Sequence, residues 1–223
     1  MIEKGVIWDL DGVLADTTEA HFRAWVTALA QQEIPLDRPA FERVLGMNNR
    51  DILTQLMGRP PEPKEMEIIA GHKEEIFRME AQWLIHPVPG ALPLLAELDG
   101  AGWLQAVASS APRANIDLIL SVLGVRDRFR VILSGDDMVI GKPDPALFLK
   151  AAEALGLPPA RCVVVEDSPF GVEAAKRAGM PCIAVTTTRP REILTAVMSS
   201  GEIYDDLTHV TVVILSSLID TAA

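Results

Sequence analysis

Gly5-Val6-Ile7-Trp8-Asp9-Leu10-Asp11-Gly12-Val13 sets a short apolar run directly against two acids. An apolar run without alternation is the pattern of a strand buried on both faces, as in a parallel sheet. The acids that close it then fall at the strand's carboxyl end. Similar runs recur downstream: Leu104-Gln105-Ala106-Val107-Ala108, Arg130-Val131-Ile132-Leu133, Cys162-Val163-Val164-Val165 and Cys182-Ile183-Ala184-Val185, with residues 210–215 as a candidate sixth. Between them, residues 116–123, 146–155 and 171–178 carry apolar residues at three- and four-residue spacing, the period of helices. Strands alternating with helices predict an α/β fold, a parallel sheet covered by helices on both faces.

Helix punctuation agrees. Asp144-Pro145 and Ser168-Pro169 each offer an N-cap followed by proline at the first helical position. Gly156 and Gly179 stand where those two helices should stop. Residues 16–86 break the rhythm and contain no convincing strand. Asp16 with Glu19 predicts a capping box that opens a helix through Ala30. Further helices are expected near residues 39–45, 50–57 and 65–84, with Gly58-Arg59-Pro60-Pro61-Glu62-Pro63 as a loop among them. The expected organisation is a core of residues 1–15 and 87–223 with an all-helical insertion of residues 16–86.

The chain has 223 residues, 49% of them hydrophobic and 23% charged, which is ordinary for a globular protein with a sizeable core. No stretch approaches the roughly 20 apolar residues of a membrane span. Asp9 and Asp11 interrupt the first apolar run, which is not a signal-peptide layout, so a cytoplasmic location is expected. The net charge of −11 repels nucleic acid and anionic lipid, which leaves a small molecule as the expected partner and a monomer or weak homodimer as the expected state. An anionic substrate would need that field reversed locally, by a cation or by a few basic side chains. Cys162 and Cys182 lie in strand-like runs and read as buried free thiols. The histidines at 21, 72, 86 and 209 show no zinc-ligand spacing.

In an open parallel sheet, ligands gather beyond the carboxyl ends of the strands. The sequence delivers Asp9 and Asp11 there, then Ser109 and Ser110, then Asp136-Asp137 with Gly141-Lys142-Pro143, then Glu166-Asp167. Singly, each has an ordinary reading: a solvated turn, a helix cap, an exposed lysine. Their joint arrival at four strand ends is not explained by capping. Carboxylates crowded at one point need a hard cation, and an oxygen-only donor set suits magnesium. One carboxylate can then attack phosphorus, and a second can exchange protons with the leaving and attacking oxygens. A lysine and a hydroxyl can hold the phosphoryl oxygens as charge develops.

Four motifs, Asp9-Leu10-Asp11-Gly12-Val13, Ala108-Ser109-Ser110, Gly141-Lys142-Pro143-Asp144-Pro145 and Val165-Glu166-Asp167-Ser168-Pro169-Phe170-Gly171-Val172, resemble in order and spacing the haloacid dehalogenase superfamily, on its phosphatase and phosphomutase side. The likeness spans nearly the whole chain. It implies a Rossmann-like parallel-sheet core with an inserted helical cap domain, Mg2+ as cofactor, and hydrolysis of a small phosphorylated metabolite, a sugar or polyol phosphate. It implies Asp9 as nucleophile and metal ligand, and Asp11 as general acid/base whose backbone carbonyl reaches the metal. Ser109, with Ser110 beside it, would bind the phosphoryl group, Lys142 would stabilise its charge, and Glu166 and Asp167 would complete the metal site. Asp136 and Asp137 are weaker candidates for supporting Lys142 or the metal's waters; their ordinary reading is exposed loop acids. The presence of Asp11 speaks against the branch that dehalogenates carbon substrates, which lacks it.

The segment Thr17-Thr18-Glu19-Ala20-His21-Phe22-Arg23-Ala24-Trp25 resembles its counterpart in beta-phosphoglucomutases. That likeness implies His21 near Asp11, Arg50 reaching a second phosphate or anionic group, and Lys73 on the substrate. A phosphomutase of that type is therefore the alternative to a phosphatase. A phospho-accepting module without turnover is a third reading, opposed by the long insertion and by the acceptor's place on the first strand.

Overall fold

β1 (Gly5–Trp8) is buried at every residue, and its alternation divides the core. Val6 and Trp8 enter the hydrophobic cluster on one face of the sheet and Ile7 the cluster on the other. The structure, a computed structural model, describes residues 3–222. After β1 the chain makes a two-residue strand β2 (Ala15–Asp16) and then runs through α1 (Thr18–Ala30), α2 (Arg38–Val44), α3 (Asn49–Met57), α4 (Pro63–Glu65) and α5 (Gly71–Leu84). β3 (His86–Pro87) brings it back, pairing antiparallel with β2 through Asp16 opposite His86. The rest alternates: α6 (Ala91–Gly100), β4 (Leu104–Ala108), α7 (Arg113–Leu123), β5 (Val131–Leu133), α8 (Ala146–Leu155), β6 (Cys162–Glu166), α9 (Pro169–Arg177), β7 (Cys182–Val185), α10 (Arg191–Val197), β8 (Gly201–Tyr204) and α11 (Val212–Ala222). Six strands form one parallel sheet in the order β5-β4-β1-β6-β7-β8.

The order puts β1 at the centre, between β4 and β6. Leu94, Leu95 and Leu98 of α6, Ile116 and Ile119 of α7, and Leu215 and Ile219 of α11 pack with Val6 and Trp8. Leu147 and Phe148 of α8 and Ala174 and Ala175 of α9 pack with Ile7. The buried Trp8 indole N–H donates to Gln105 Oε1 at 3.0 Å. The first cluster continues without a break into the insertion, through Ala20, Trp25, Phe41, Leu53 and Phe77. Arg189 reaches across from the sheet side and donates to the carbonyls of Glu42 and Leu45. Cys162 and Cys182 are buried free thiols, and burial pushes Cys162 up to about 12.

Several local expectations need correction. Residues 210–215 are not a strand: Val212 begins α11, whose apolar face is buried on the core, and the sixth strand is β8. β8 escapes a hydrophobicity reading because it is an edge strand, half-exposed, with Gly201 and Glu202 in it. The 16–86 stretch does contain strand residues at its two ends, the β2–β3 ribbon, too short to leave a period-two signal. The capping box does not form. Thr17 occupies the N-cap of α1, Asp16 accepts from the Thr18 N–H at 3.1 Å, and Glu19 is taken by Arg23 and Arg38. Pro145, not Asp144, caps α8, and Asp144 accepts from the Ala146 N–H at 2.9 Å. The 65–84 helix is interrupted by a π-helical turn at Met66–Ala70. Ser168 does cap α9, accepting from Gly171 N–H at 3.1 Å with Pro169 next, and Gly156 closes α8 in the left-handed region.

Candidate active site

The carboxyl ends of β1, β4 and β6 meet because those strands are adjacent and in parallel register. Asp9 continues the β1 ladder, its N–H donating to Val165 O at 2.9 Å, so its side chain is aimed by two strands. Lys142 Nζ lies 2.5 Å from Asp9 Oδ1, 2.7 Å from Glu166 Oε1 and 3.2 Å from the Ala108 carbonyl. Three acceptors satisfy the three N–H bonds of the ammonium. Burial works against that charge, but Asp9 and Glu166 outweigh it and hold the Lys142 pKa above its ordinary value.

The carboxylates divide by environment. Burial, the largest cause, pushes Asp9 up to about 7; Lys142 pulls against it while Glu166 and Asp11 add to it. Burial likewise drives Asp167 well above the carboxylate range, with the charges of Glu166 and Asp9 adding to the rise and Thr188, which donates to Asp167 Oδ2, opposing it. Burial also acts to raise Asp11, but Asp11 ends below its ordinary value. Thr17 Oγ1 donates to its Oδ1 at 2.5 Å, His21 Nε2 lies 3.1 Å from the same oxygen, and Lys73 adds a nearby charge. His21 is held there by stacking on Phe77, with centroids 4.1 Å apart.

Two glycines make the crowding possible. Gly12 has φ +78°, and a Cβ there would run into the Asp167 carboxylate and Thr188. A Cβ on Gly171 would occupy the space of the Glu166 carboxylate. Glu166 is thereby fixed with Oε1 on Lys142 and Oε2 accepting from the N–H groups of Asp167 and Ser168, both at 2.9 Å.

A pocket opens above these residues. Asp9, Asp11, Ser109, Ser110, Lys142, Glu166 and Asp167 line its floor, and His21 and Lys73 line it from the insertion. Ser109 is buried, and its Oγ accepts from the Ala111 N–H at 3.1 Å. The structure thus brings together the main expected site residues but not Arg50, which does not line the pocket and is exposed. Asn48 caps α3, and the turn it starts aims Asn48 and Asn49 inward and Arg50 outward. We expect Arg50→Ala to change kcat/KM by less than about twofold, measured on the best substrate, because the side chain is exposed and stands outside the pocket lining. Asp136 and Asp137 are also elsewhere: Asp136 accepts from Arg113 N–H and Asp137 from Ser134, away from Lys142.

Glu166 makes contacts through both oxygens, Oε1 with Lys142 and Oε2 with the N–H groups of Asp167 and Ser168. Among the described residues, no three His, Cys, Asp or Glu side chains are already gathered as a metal cage. The residues nevertheless fit a hard cation. The donors are all oxygen, and three buried carboxylates, Asp9, Glu166 and Asp167, stand beside one ammonium, Lys142, which pairs with the first two. Burial first, and then the charge of neighbouring carboxylates, raise the pKa values of Asp9 and Asp167.

Four residues escaped the sequence reading. Thr17 and Thr188 set the two outer aspartates, and Glu74 and Asn49 form the inner wall of the insertion. The run Thr186-Thr187-Thr188 after a strand was a legible signal, hydroxyls at one more carboxyl end. Glu74 gave none, standing in a charged stretch that reads as solvated.

The family model for haloacid dehalogenase-like hydrolases matches residues 3–179. The chain is 33% identical to the beta-phosphoglucomutase of Bacillus subtilis (strain 168), over 84% of this chain and 85% of that one. It is 29% identical to the fructose-1-phosphate phosphatase YqaB of Escherichia coli (strain K12), over 81% and 95%. Among solved structures, CbbY from Rhodobacter sphaeroides in complex with phosphate superposes with a TM-score of 0.85 at 28% identity, covering 96% of this chain and all of that one.

Proposed function

This chain belongs to the haloacid dehalogenase-like hydrolases, and on that footing we propose that it is a magnesium-dependent phosphatase. It hydrolyses a small phosphorylated metabolite, a sugar or polyol phosphate, through an aspartyl-phosphate on Asp9. Residues 16–86 act as a cap domain over a core of residues 1–15 and 87–223. The observation that carries the reading is the buried contact of Lys142 with Asp9 and Glu166, set beside an aspartate, Asp11, that has its own separate proton partners.

Each residue has a step. Asp9 Oδ attacks phosphorus as the bond from phosphorus to the ester oxygen breaks. Asp11, having taken up a proton as substrate binds, gives it to that oxygen and recovers one from the water that attacks the acyl phosphate. The bond between phosphorus and Asp9 breaks, releasing phosphate and restoring the carboxylate. Thr17 and His21 keep Asp11 oriented between the two transfers. Ser109 and Lys142 hold the phosphoryl oxygens. Asp9, Glu166, Asp167 and the Asp11 backbone carbonyl would hold magnesium, with Glu166 also fixing Lys142 and the 167–168 backbone. When bound, the cation supplies Lewis-acid polarisation of the phosphoryl group and screens its charge from the carboxylates.

The test is a phosphate-release screen over sugar and polyol phosphates. Removing divalent cations with EDTA should lower turnover by on the order of 10²-fold or more, and excess magnesium should restore it. Isomerisation of a sugar phosphate without phosphate release would establish the mutase instead.

A further inference from the structure

Lys73 and Glu74 stand together at the start of α5, and both are buried. Lys73 Nζ lies 2.8 Å from Glu74 Oε1 and over the rings of Trp25 and Phe77. Glu74 also accepts from Asn49 on α3 at 2.7 Å and from Asn115 on α7, so it ties the insertion to the sheet side of the molecule. Burial, working against the charge, lowers the Lys73 pKa although Glu74 opposes the fall.

The wall of the pocket away from Lys142 therefore offers no uncommitted positive charge. Among the described residues that line it, Lys142 is committed to Asp9 and Glu166, and Lys73 to Glu74. Arg50 lies outside. The N-terminus of α3, which faces the pocket, is already answered by Asn48 and by Asp51, whose carboxylate accepts from the Asn48 amide at 2.7 Å. What remains on that wall is hydrogen-bonding and apolar surface: Asn48, Asn49, Glu74, Trp25, Phe41 and Ile52.

We propose that Glu74 is a specificity-determining residue. By cancelling the charge of Lys73 it reserves the pocket for phosphate esters whose leaving group is neutral and hydroxylated, and rejects esters that carry a second phosphate or a carboxylate. The proposal rests on the phosphatase reading above and narrows its substrate class. A second anion would have to displace a buried ion pair and would then sit against the Glu74 carboxylate, an uncompensated like-charge contact. A hydroxyl group instead donates to Glu74 or exchanges hydrogen bonds with Asn49. The same charge balance disfavours a mutase, because the acceptor in that reaction is itself a phosphorylated sugar.

The experiment compares matched ester pairs that differ only by hydroxymethyl against carboxylate: glycerol phosphate with phosphoglycerate, and sorbitol phosphate with phosphogluconate. They are run within the wider screen, sorted by the charge of the leaving group. The wild type should favour the neutral member by about 100-fold in kcat/KM. Glu74→Gln, which frees the Lys73 charge, should shrink that ratio by about tenfold or more, and Lys73→Gln, which leaves Glu74 unopposed, should widen it. A merely structural contribution would lower both members together and leave the ratio unmoved. If the wild type hydrolyses anionic and neutral esters alike, or if the folded variants leave the ratio unchanged, the proposal is overturned while the phosphatase reading stands. If the wild type is as inert as Asp9→Asn on every ester, the phosphatase reading falls and takes this proposal with it. Should either variant fail to fold, the wild-type ratio alone decides.

Discussion

Asp9→Asn is expected to lower magnesium-dependent phosphate release by on the order of 10⁴-fold or more, the scale seen when a covalent nucleophile is removed from a concerted set. The amide nitrogen cannot attack phosphorus, and the remaining oxygen is a poor nucleophile and a weaker cation ligand. The substitution preserves volume at a buried position whose backbone is anchored to Val165. Lys142 retains Glu166 at 2.7 Å and the Ala108 carbonyl at 3.2 Å. The thermal midpoint should therefore stay within about 4 °C of the wild type, roughly 1 kcal/mol for a chain of this size. Activity lost with stability kept identifies a chemical role. Full activity in this variant would remove Asp9 from the mechanism.

Lys142→Met separates from it by failing on both counts. Methionine fills much of the aliphatic volume beside Phe148, over whose ring the ammonium lies at 4.8 Å. It leaves Asp9 and Glu166 buried without their cation. Breaking a buried pair by removing one partner costs about 3–5 kcal/mol, and here one lysine serves two carboxylates. Circular dichroism melts without added metal should show that loss, and turnover should fall by about 10³-fold through the missing phosphoryl contact. Added magnesium should recover part of the stability, because it supplies charge to the same carboxylates, while turnover stays low. A variant as stable as the wild type without metal would mean that Asp9 and Glu166 do not depend on Lys142.

Much of this was legible in the chain because the signals are local. Five of the six sheet strands are apolar runs too short and too uniform for helices, and Asp9, Ser109 and Glu166 each follow or end such a run. Ser168-Pro169 states its own helix start, since a cap and a fixed φ act within one turn. The failures share the opposite character. β8 is a strand because Cys182 to Val185 present an unpaired edge to residues Gly201 to Tyr204, a partner 19 residues away along the chain. α11 is a helix because its apolar face completes the cluster over β1 and β6. Arg50 looked like a ligand by position in a motif, and the orientation of one helical turn put it in solvent.

The feature that opened the sequence, an apolar run meeting two acids, marked by itself a strand buried on both faces and the acids at its end. Backbone burial and covalent spacing are enough for that. What the two acids can do was settled only when the chain folded. Parallel pairing with β6 brought Glu166 to Asp9 from 157 residues away, the loop after β5 brought Lys142 from 133 residues away, and the insertion brought Thr17 and His21 to Asp11. Packing of α5 against the sheet side buried the neighbours Lys73 and Glu74 in the pocket rather than leaving them in water. Charge becomes chemistry where solvent is excluded, and which charges lose solvent together is a property of the tertiary structure, not of the sequence order.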